Sequence, residues 1–191
     1  ASQHGLRTVI STGDKDLAQL VDERTTLVNT MSGETLDVPG VSAKFGVPPK
    51  RIVDFLTLVG DSVDNVPGVD KVGPKTAAKW LQTYGSLDAL VENADQITGV
   101  VGENLRKALP WIPTAKALVT IKTDCDLSTH VPSLSALAVR NEDAARLREI
   151  YQRYEFKALL REVDFSAAPA APGVATASAV PERETGTESE P

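Results

Sequence analysis

A chain of 191 residues, 41% of them hydrophobic, has apolar material for one domain of ordinary size plus a tail. Its one cysteine, Cys125, excludes an internal disulfide and fits a reducing compartment, while no secretory signal is visible and no apolar run approaches the ~20 residues that span a bilayer. The net charge of −6 speaks only weakly against nucleic-acid binding, because half of it comes from four glutamates and one arginine after residue 166, and a local basic patch binds phosphate on an acidic protein.

In chain order, residues 7–11 read as a short buried strand rich in β-branched side chains. The chain then turns through Thr12, Gly13, Asp14, Lys15 and Asp16 into a helical pattern over 15–21. Residues 26–30 form a second strand, 32–34 a turn and 36–38 a very short third strand. A short helix over 41–45 closes at Gly46, and Pro48 and Pro49 open the next, 49–59, with Ile52, Val53, Phe55, Leu56 and Val59 as its apolar stripe.

Helices dominate from there. One spans 75–84 and stops at Gly85; Ser86 caps another over 87–93. A helix over 103–109 is interrupted or kinked by Pro110 and Pro113, and helical structure resumes over 114–121. Cys125 reads as a small buried hydrophobe beside a strand. An amphipathic helix over 142–154 turns Ala145, Leu147, Ile150, Tyr151 and Tyr154 inward, and a short helix over 156–160 follows. Residues 166–191 are mostly Ala, Pro, Ser, Thr and Glu with no hydrophobic period; they bury too little to offset ordering and read as disordered.

The chemistry concentrates in residues 60–79, GDSVDNVPGVDKVGPKTAAK. Asp61 and Asp64, three apart, face the same way in helical or turn geometry. Beside them a glycine-rich hairpin, 68–73, leads into a helix that opens on Pro74. Gly73 permits close backbone approach to a phosphate, and the free N–H groups of the helix start can bind it. A second acid pair, Asp14 and Asp16, follows the first strand, at the strand end where α/β sheets bind ligands. If the four acids converge, the site is all oxygen, which suits Mg²⁺ or Mn²⁺ rather than Zn²⁺.

Plainer readings stand beside these. Asp14 also suits an N-cap and Asp16 a solvated first-turn acid. Asp61 and Asp64 also suit helix-end capping, and the hairpin an ordinary helix-turn-helix connection. Lys71, Lys75, Thr76 and Lys79 are the candidate phosphate contacts, although a lone lysine is more often simply solvated. Lys15, between two carboxylates, balances their charge. Arg106 and Lys107 either extend a nucleic-acid track or lie on a solvated face. Trp80 and Trp111 fit the core. His4 and His130 have no partner spacing for metal or triad chemistry.

The segments STGDKDLAQL, FGVPPKRIVDFLTLVGDSVDNVPGVDKVGPKTAAKWL, TIKTDCDL and YEFKALL resemble, in order, the 5′ nuclease domain of bacterial DNA polymerase I, in the flap endonuclease family. The resemblance covers about residues 7–163 and only the C-terminal half of that domain. It implies an α/β fold: a partial α/β 5′-nuclease (PIN-like) sheet over 1–40, a mostly helical subdomain over 41–165 with a helix–three-turn–helix at about 60–84, and a linker to downstream domains over 166–191. It implies metal and catalytic roles for Asp14, Asp16, Asp61 and Asp64, and duplex binding through Gly68, Lys71, Gly73, Lys75, Thr76 and Lys79. Carbonyls of Val69 and Val72 are candidates for K⁺. The implied activity is metal-dependent hydrolysis near the 5′ end of a double-stranded or 5′-flap DNA, in the bacterial cytoplasm and nucleoid, with no membrane partner. The N-terminal half of the nuclease, with its other acidic ligands and basic helical arch, and the downstream polymerase domains are the implied partners within one protein. Without that half, the alternative for the chain alone is a non-catalytic duplex-binding module.

Overall fold

Residues 4–139 and 141–166 are described in the computed structural model of the chain. The β-branched runs form β1 (Thr8–Ser11) and β2 (Thr25–Asn29), which pair in parallel, Thr8 with Thr25 through Ser11 with Val28. β3 (Glu34–Leu36) returns antiparallel, with Leu36 opposite Leu27. The order β1-β2-β3 leaves β1 on an edge, where Val9 is 68% exposed. The crossover from β1 to β2 is a 3-10 helix, Lys15–Leu20, pinned by the buried Ala18.

The third strand lies two residues earlier than the sequence pattern places it. Asp37 Oδ1 accepts from the Gly40 N–H at 2.8 Å, so Asp37 is a helix cap rather than a strand residue. That cap starts α1 (Val38–Phe45), which closes at Gly46 with φ 74°. A 3-10 turn, Pro49–Arg51, leads into α2 (Ile52–Val59). That helix is followed by α3 (Pro74–Tyr84), α4 (Leu87–Glu92), α5 (Gly99–Ala108) and α6 (Ile112–Val119). α2 packs on α3, on α6 and on the 3-10 crossover helix. Its buried Ile52, Phe55, Leu56 and Leu58 join Leu27 and Leu36 of the sheet and Leu81, Leu105 and Val119 of the helices in one apolar cluster. Each such side chain stabilises by roughly 1.5–3 kcal/mol when fully buried. The sheet and the helices therefore hold each other in place, and α2, at the centre, fixes the position of the segment leaving its C-terminal end.

That segment begins with Gly60. With φ 80° and ψ 176°, it ends α2 and turns the chain into a two-residue strand, β4 (Gly60–Asp61). β4 pairs antiparallel with β5 (Val66–Pro67), Asp61 opposite Val66.

The chain divides into two compact units, Ala1–Ala136 and Leu137–Pro191. In the second, α7 (Ala144–Arg153) packs on α8 (Lys157–Ser166). None of the five expected inward residues of α7 is fully buried: Leu147 and Tyr151 are half-buried, and Ala145, Ile150 and Tyr154 are exposed. Two short helices cover only one stripe of each other. Cys125 is exposed rather than buried, because residues 121–127 form no strand to pack it. Trp80 is buried as expected, whereas Trp111 is half-buried and donates its Nε1–H to the Pro67 carbonyl at 2.8 Å. Of the linker expected over 166–191, Ser166 ends α8 and the rest lies outside the described residues.

Candidate metal and nucleic-acid site

Two chain reversals meet at the end of α2. The first is the turn after β1. Thr12 Oγ1 accepts from the Asp14 N–H at 3.0 Å, and Asp14 Oδ1 accepts from the Asp16 N–H at 2.9 Å, so Asp14 is the N-cap of the 3-10 helix. The second is the turn after Gly60. Asp61 Oδ1 accepts from the Val63 N–H at 2.9 Å, and the loop it closes carries Asp64.

These turns bring together three of the four acids. One oxygen from each of Asp16, Asp61 and Asp64 lies within 4.8 Å of the others. Asp14 stays outside this group and keeps its capping bond. Residues two apart do not share a face, so once Asp16 points into the cluster Asp14 points away. Asp61 is buried at 4% exposure, Asp16 is half-buried and Asp64 is exposed, so the cluster has a floor and an open mouth.

Two like charges ~4 Å apart repel by on the order of 4 kcal/mol at the effective dielectric of a protein surface. Lys15 offsets part of that. Its ammonium contacts Asp61 Oδ2 and lies 3.6 Å from Asp16 Oδ1. The hydrogen bond from Lys15 holds the Asp61 carboxyl below its usual range, against the opposing effect of burial. Burial pushes Asp16 up; Lys15 opposes this, and the charges of Asp14, Asp61 and Asp64 add to it. Burial would lower the Lys15 ammonium, but its bond to Asp61 and the charges of Asp16, Asp61 and Asp14 raise it overall. Three carboxylates less one ammonium leave two negative charges.

The donor set fits a hard divalent cation. It is all oxygen. Asp16 Oδ1 is buried and has no hydrogen-bond partner, a state that a bound cation would relieve. A bound ion would take oxygens of Asp16, Asp61 and Asp64.

Gln19, a residue the sequence reading passes over, ties this turn to the helices. Its Nε2 donates to the Asp16 carbonyl at 2.8 Å and to the Val119 carbonyl at 3.0 Å, and its Oε1 accepts from the Ile121 N–H at 3.0 Å. The acid turn is thereby fastened to the end of α6, which packs on α2, the helix that delivers Asp61. A signal was present: Gln19 is polar within an apolar run and lies three residues from Asp16, on the same face. Replacing Gln19 with Ala leaves two carbonyls and one N–H without their partner. The expected result is a loss of about 1–3 kcal/mol of stability together with 10–100-fold weaker cation binding. Chemical denaturation and Mn²⁺ titration of the variant measure the two separately.

The hairpin presents its lysines outward and its valines inward. Val69 and Val72 are buried at 4% and 5% exposure, and the Val69 N–H donates to the Leu58 carbonyl at 2.8 Å. Lys71, at φ 61°, is exposed, as are Lys75 and Lys79, which share a face of α3; Thr76 is half-buried. Among the described residues these three lysines make no ion pair. Gly73 caps α3 with its backbone alone and has open space where a Cβ would stand. The Thr76 and Ala77 N–H groups both bond back to the Gly73 carbonyl, so of the first-turn donors the Lys75 N–H stays available. Gly68 instead serves close packing, since a Cβ there would lie 2.3 Å from the Val59 carbonyl carbon. The Val72 N–H takes one lone pair of the Val69 carbonyl at 3.0 Å. Arg106 is structural, donating to the Ala94 and Ile97 carbonyls at 2.7 and 3.0 Å, while Lys107 is exposed.

The family model described as 5′-3′ exonuclease, C-terminal SAM fold, matches residues 47–144, from just before α2 through the hairpin and α3 to the first residue of α7. The chain belongs to the 5′-3′ exonuclease family. The DNA polymerase I of Pseudomonas aeruginosa is 45% identical over 161 residues, 78% of this chain and 17% of the polymerase. The 5′-3′ exonuclease of Aquifex aeolicus is 39% identical over 163 residues, 85% of this chain and 54% of the exonuclease. The chain thus spans about half of one relative and under a fifth of the other. Among solved structures, a flap endonuclease of bacteriophage T5, in a pseudo-enzyme-product complex with DNA and metal ions, superposes with TM-score 0.56 at 14% identity, over 82% of this chain and 53% of that one. A T5 5′-exonuclease with bound zinc superposes with TM-score 0.55 at 16% identity, over 59% of this chain and 42% of that one. These likenesses are of fold. No helix among the described residues is long and apolar enough to cross a membrane.

Proposed function

We propose that this chain is the metal-binding and duplex-gripping half of a metal-dependent 5′-3′ exonuclease and flap endonuclease that works within a bacterial DNA polymerase I, in the cytoplasm on nucleoid DNA. The observation that carries the reading is the convergence of Asp16, Asp61 and Asp64, of which Asp16 carries a buried oxygen without a hydrogen-bond partner. Residues 1–40 belong to the nuclease core, 41–165 to the helical DNA-binding part and 166–191 to the linker toward the polymerase domains. A bound Mg²⁺ or Mn²⁺ supplies polarisation of a phosphoryl oxygen and an activated water. Asp16, Asp61 and Asp64 hold that ion, and Asp14 holds the turn that aims Asp16. The backbone at Gly73 and the side chains of Lys71, Lys75, Thr76 and Lys79 bind duplex phosphates, with K⁺ at the Val69 and Val72 carbonyls. Contacts to phosphate position the duplex without reading its bases.

For the chain by itself, the second reading is favoured: duplex binding without cleavage. Three convergent acids make one ion site, and two-metal hydrolysis needs a second. A 5′-flap duplex is offered to the purified chain in Ca²⁺ for binding and in Mg²⁺ for cleavage. Binding without cleavage is expected, with cleavage restored when the rest of the nuclease is present. Failure to bind the duplex at low salt sinks the reading.

Salt gives a second check. Three lysine–phosphate contacts predict that log affinity falls with log salt at a slope of about −3. Lys75→Ala and Lys79→Ala are each expected to reduce that slope by about one, without changing sequence preference. Titrations of a labelled duplex across salt concentrations measure it, and unchanged slopes would move the duplex off this face.

A further inference from the structure

The acid cluster carries a cation of its own. Lys15 reaches Asp61 Oδ2 and stands 3.6 Å from Asp16 Oδ1, the oxygen that no hydrogen bond satisfies. Those two residues are also two of the three that converge. A hard divalent ion would need the same oxygens at close range, and an ammonium and a metal ion cannot both sit against Asp61 Oδ2. Lys15 cannot diffuse away, because it opens the same 3-10 helix that carries Asp16. It can swing, because its side chain is 38% exposed and its four-carbon stem rotates freely.

Resting on the metal-site reading above, we propose that Lys15 is a tethered competitor for the divalent ion: its ammonium fills the site when no ion is bound, leaves Asp61 when one binds, and is then free to meet a DNA phosphate. Metal binding and phosphate binding are thereby coupled through one side chain. The metal-free site avoids three unopposed carboxylates, and the loaded site gains a positive charge at its mouth. The competition lowers affinity for the ion in the absence of DNA, and phosphate returns part of that loss by giving the displaced ammonium a partner.

Mn²⁺ titration of the full chain in low salt, for wild type, Lys15→Met and Lys15→Arg, tests the competition. Lys15→Met keeps most of the stem and removes the charge. It is expected to bind Mn²⁺ at least ten-fold more tightly than wild type, to melt at lower temperature in EDTA, and to regain wild-type melting in Mn²⁺. Lys15→Arg is expected to stay near wild type. Equal or weaker Mn²⁺ affinity in Lys15→Met overturns the proposal and leaves the metal site standing. Absence of Mn²⁺ binding in both folded proteins removes the metal site and the proposal together. A measurement on wild type alone covers the case in which Lys15→Met does not fold. Labelling of Lys15 by an amine-reactive reagent, read by mass spectrometry against Lys71, is expected to speed up several-fold when Ca²⁺ is added. Unchanged or slower labelling overturns the proposal.

Discussion

Gly68→Ala is expected to destabilise the unit Ala1–Ala136 by about 3 kcal/mol or more, lowering its melting temperature by on the order of 10 °C. A Cβ at Gly68 would lie 2.3 Å from the carbon and 2.4 Å from the oxygen of the Val59 carbonyl, and 2.5 Å from the Gly60 nitrogen. All three atoms are backbone, so no rotamer change relieves the overlap. The hairpin must back away from α2 instead. That movement breaks the bond from the Val69 N–H to the Leu58 carbonyl and draws the buried Val69 and Val72 out of the core. It also strains the bond from Trp111 to Pro67. Gly73→Ala is the control. Its Cβ meets open space and its φ of −94° suits any residue, so the expected loss is under about 1 kcal/mol, mostly from the poorer cap. Denaturation of both variants without DNA decides the matter. If Gly68→Ala melts within a few degrees of wild type, the close approach of the two backbones is not what the glycine serves.

The contrast between these two glycines marks how much the sequence reveals. Sequence spacing places both in the hairpin and suggests phosphate contact for Gly73, while the resemblance implies duplex binding for both. Gly68 touches α2 across a chain separation that local pattern cannot see, whereas Gly73 keeps the open face that the phosphate reading requires. Helix signals that are local were legible. Pro74 opens α3, Gly85 closes it, and Ser86 accepts from the Ala89 N–H at 3.1 Å to start α4. Signals with two meanings misled. Pro110 lies in the break between α5 and α6, but Pro113 starts α6 from its second position, and Pro39 likewise sits in the first turn of α1, which begins at Val38, a residue read as strand. α5 begins at Gly99, four residues before the expected start, and its Gly102 packs against the Ile97 carbonyl, where a Cβ would stand 2.0 Å away.

The same limit applies at the acid cluster. The three-residue spacing of Asp61 and Asp64 was enough to place them together, because one turn carries both. Asp14 and Asp16 read as a second acid pair, and the structure separates them, Asp14 capping the 3-10 helix while Asp16 joins Asp61 and Asp64. Nothing local links Asp16 to Asp61. Their meeting depends on the packing of the crossover helix on α2 and on Gln19 fastening the turn to α6. A convergent site is legible in sequence as a set of candidate acids, and the fold selects among them.

The second large effect comes from that selection. Asp61→Asn is expected to weaken Mn²⁺ binding by the chain at least 100-fold and, under the function proposed above, to lower DNA hydrolysis by the whole nuclease by on the order of 10²-fold or more. Asn has the shape of Asp, and its oxygen can still accept from the Val63 N–H, so the turn keeps its form. The variant loses the buried negative charge between Lys15 and the other two acids. The amide NH₂ would then face the Lys15 ammonium, donor against donor, and Lys15 would move away. The pH dependence carries a sign that separates this from a packing defect. The hydrogen bond from Lys15 holds the Asp61 carboxyl below its usual range, so its stabilisation is present above that range and is lost as pH falls through the lowered value. Asp16, raised mainly by burial, contributes in the opposite sense: its stabilisation is present at acid pH and is lost as pH rises through the raised value. Asp61→Asn removes the first contribution and keeps part of the second. The variant should therefore show a shallower fall in stability on acidification than wild type, with little change in the unit's secondary structure. Denaturation midpoints between pH 2 and pH 7, in EDTA, measure the slope, and Mn²⁺ titration at neutral pH measures the affinity. An Asp61→Asn protein with wild-type Mn²⁺ affinity would show that the ion does not rest on the buried carboxylate, and the site would have to be rebuilt around Asp16 and Asp64 alone.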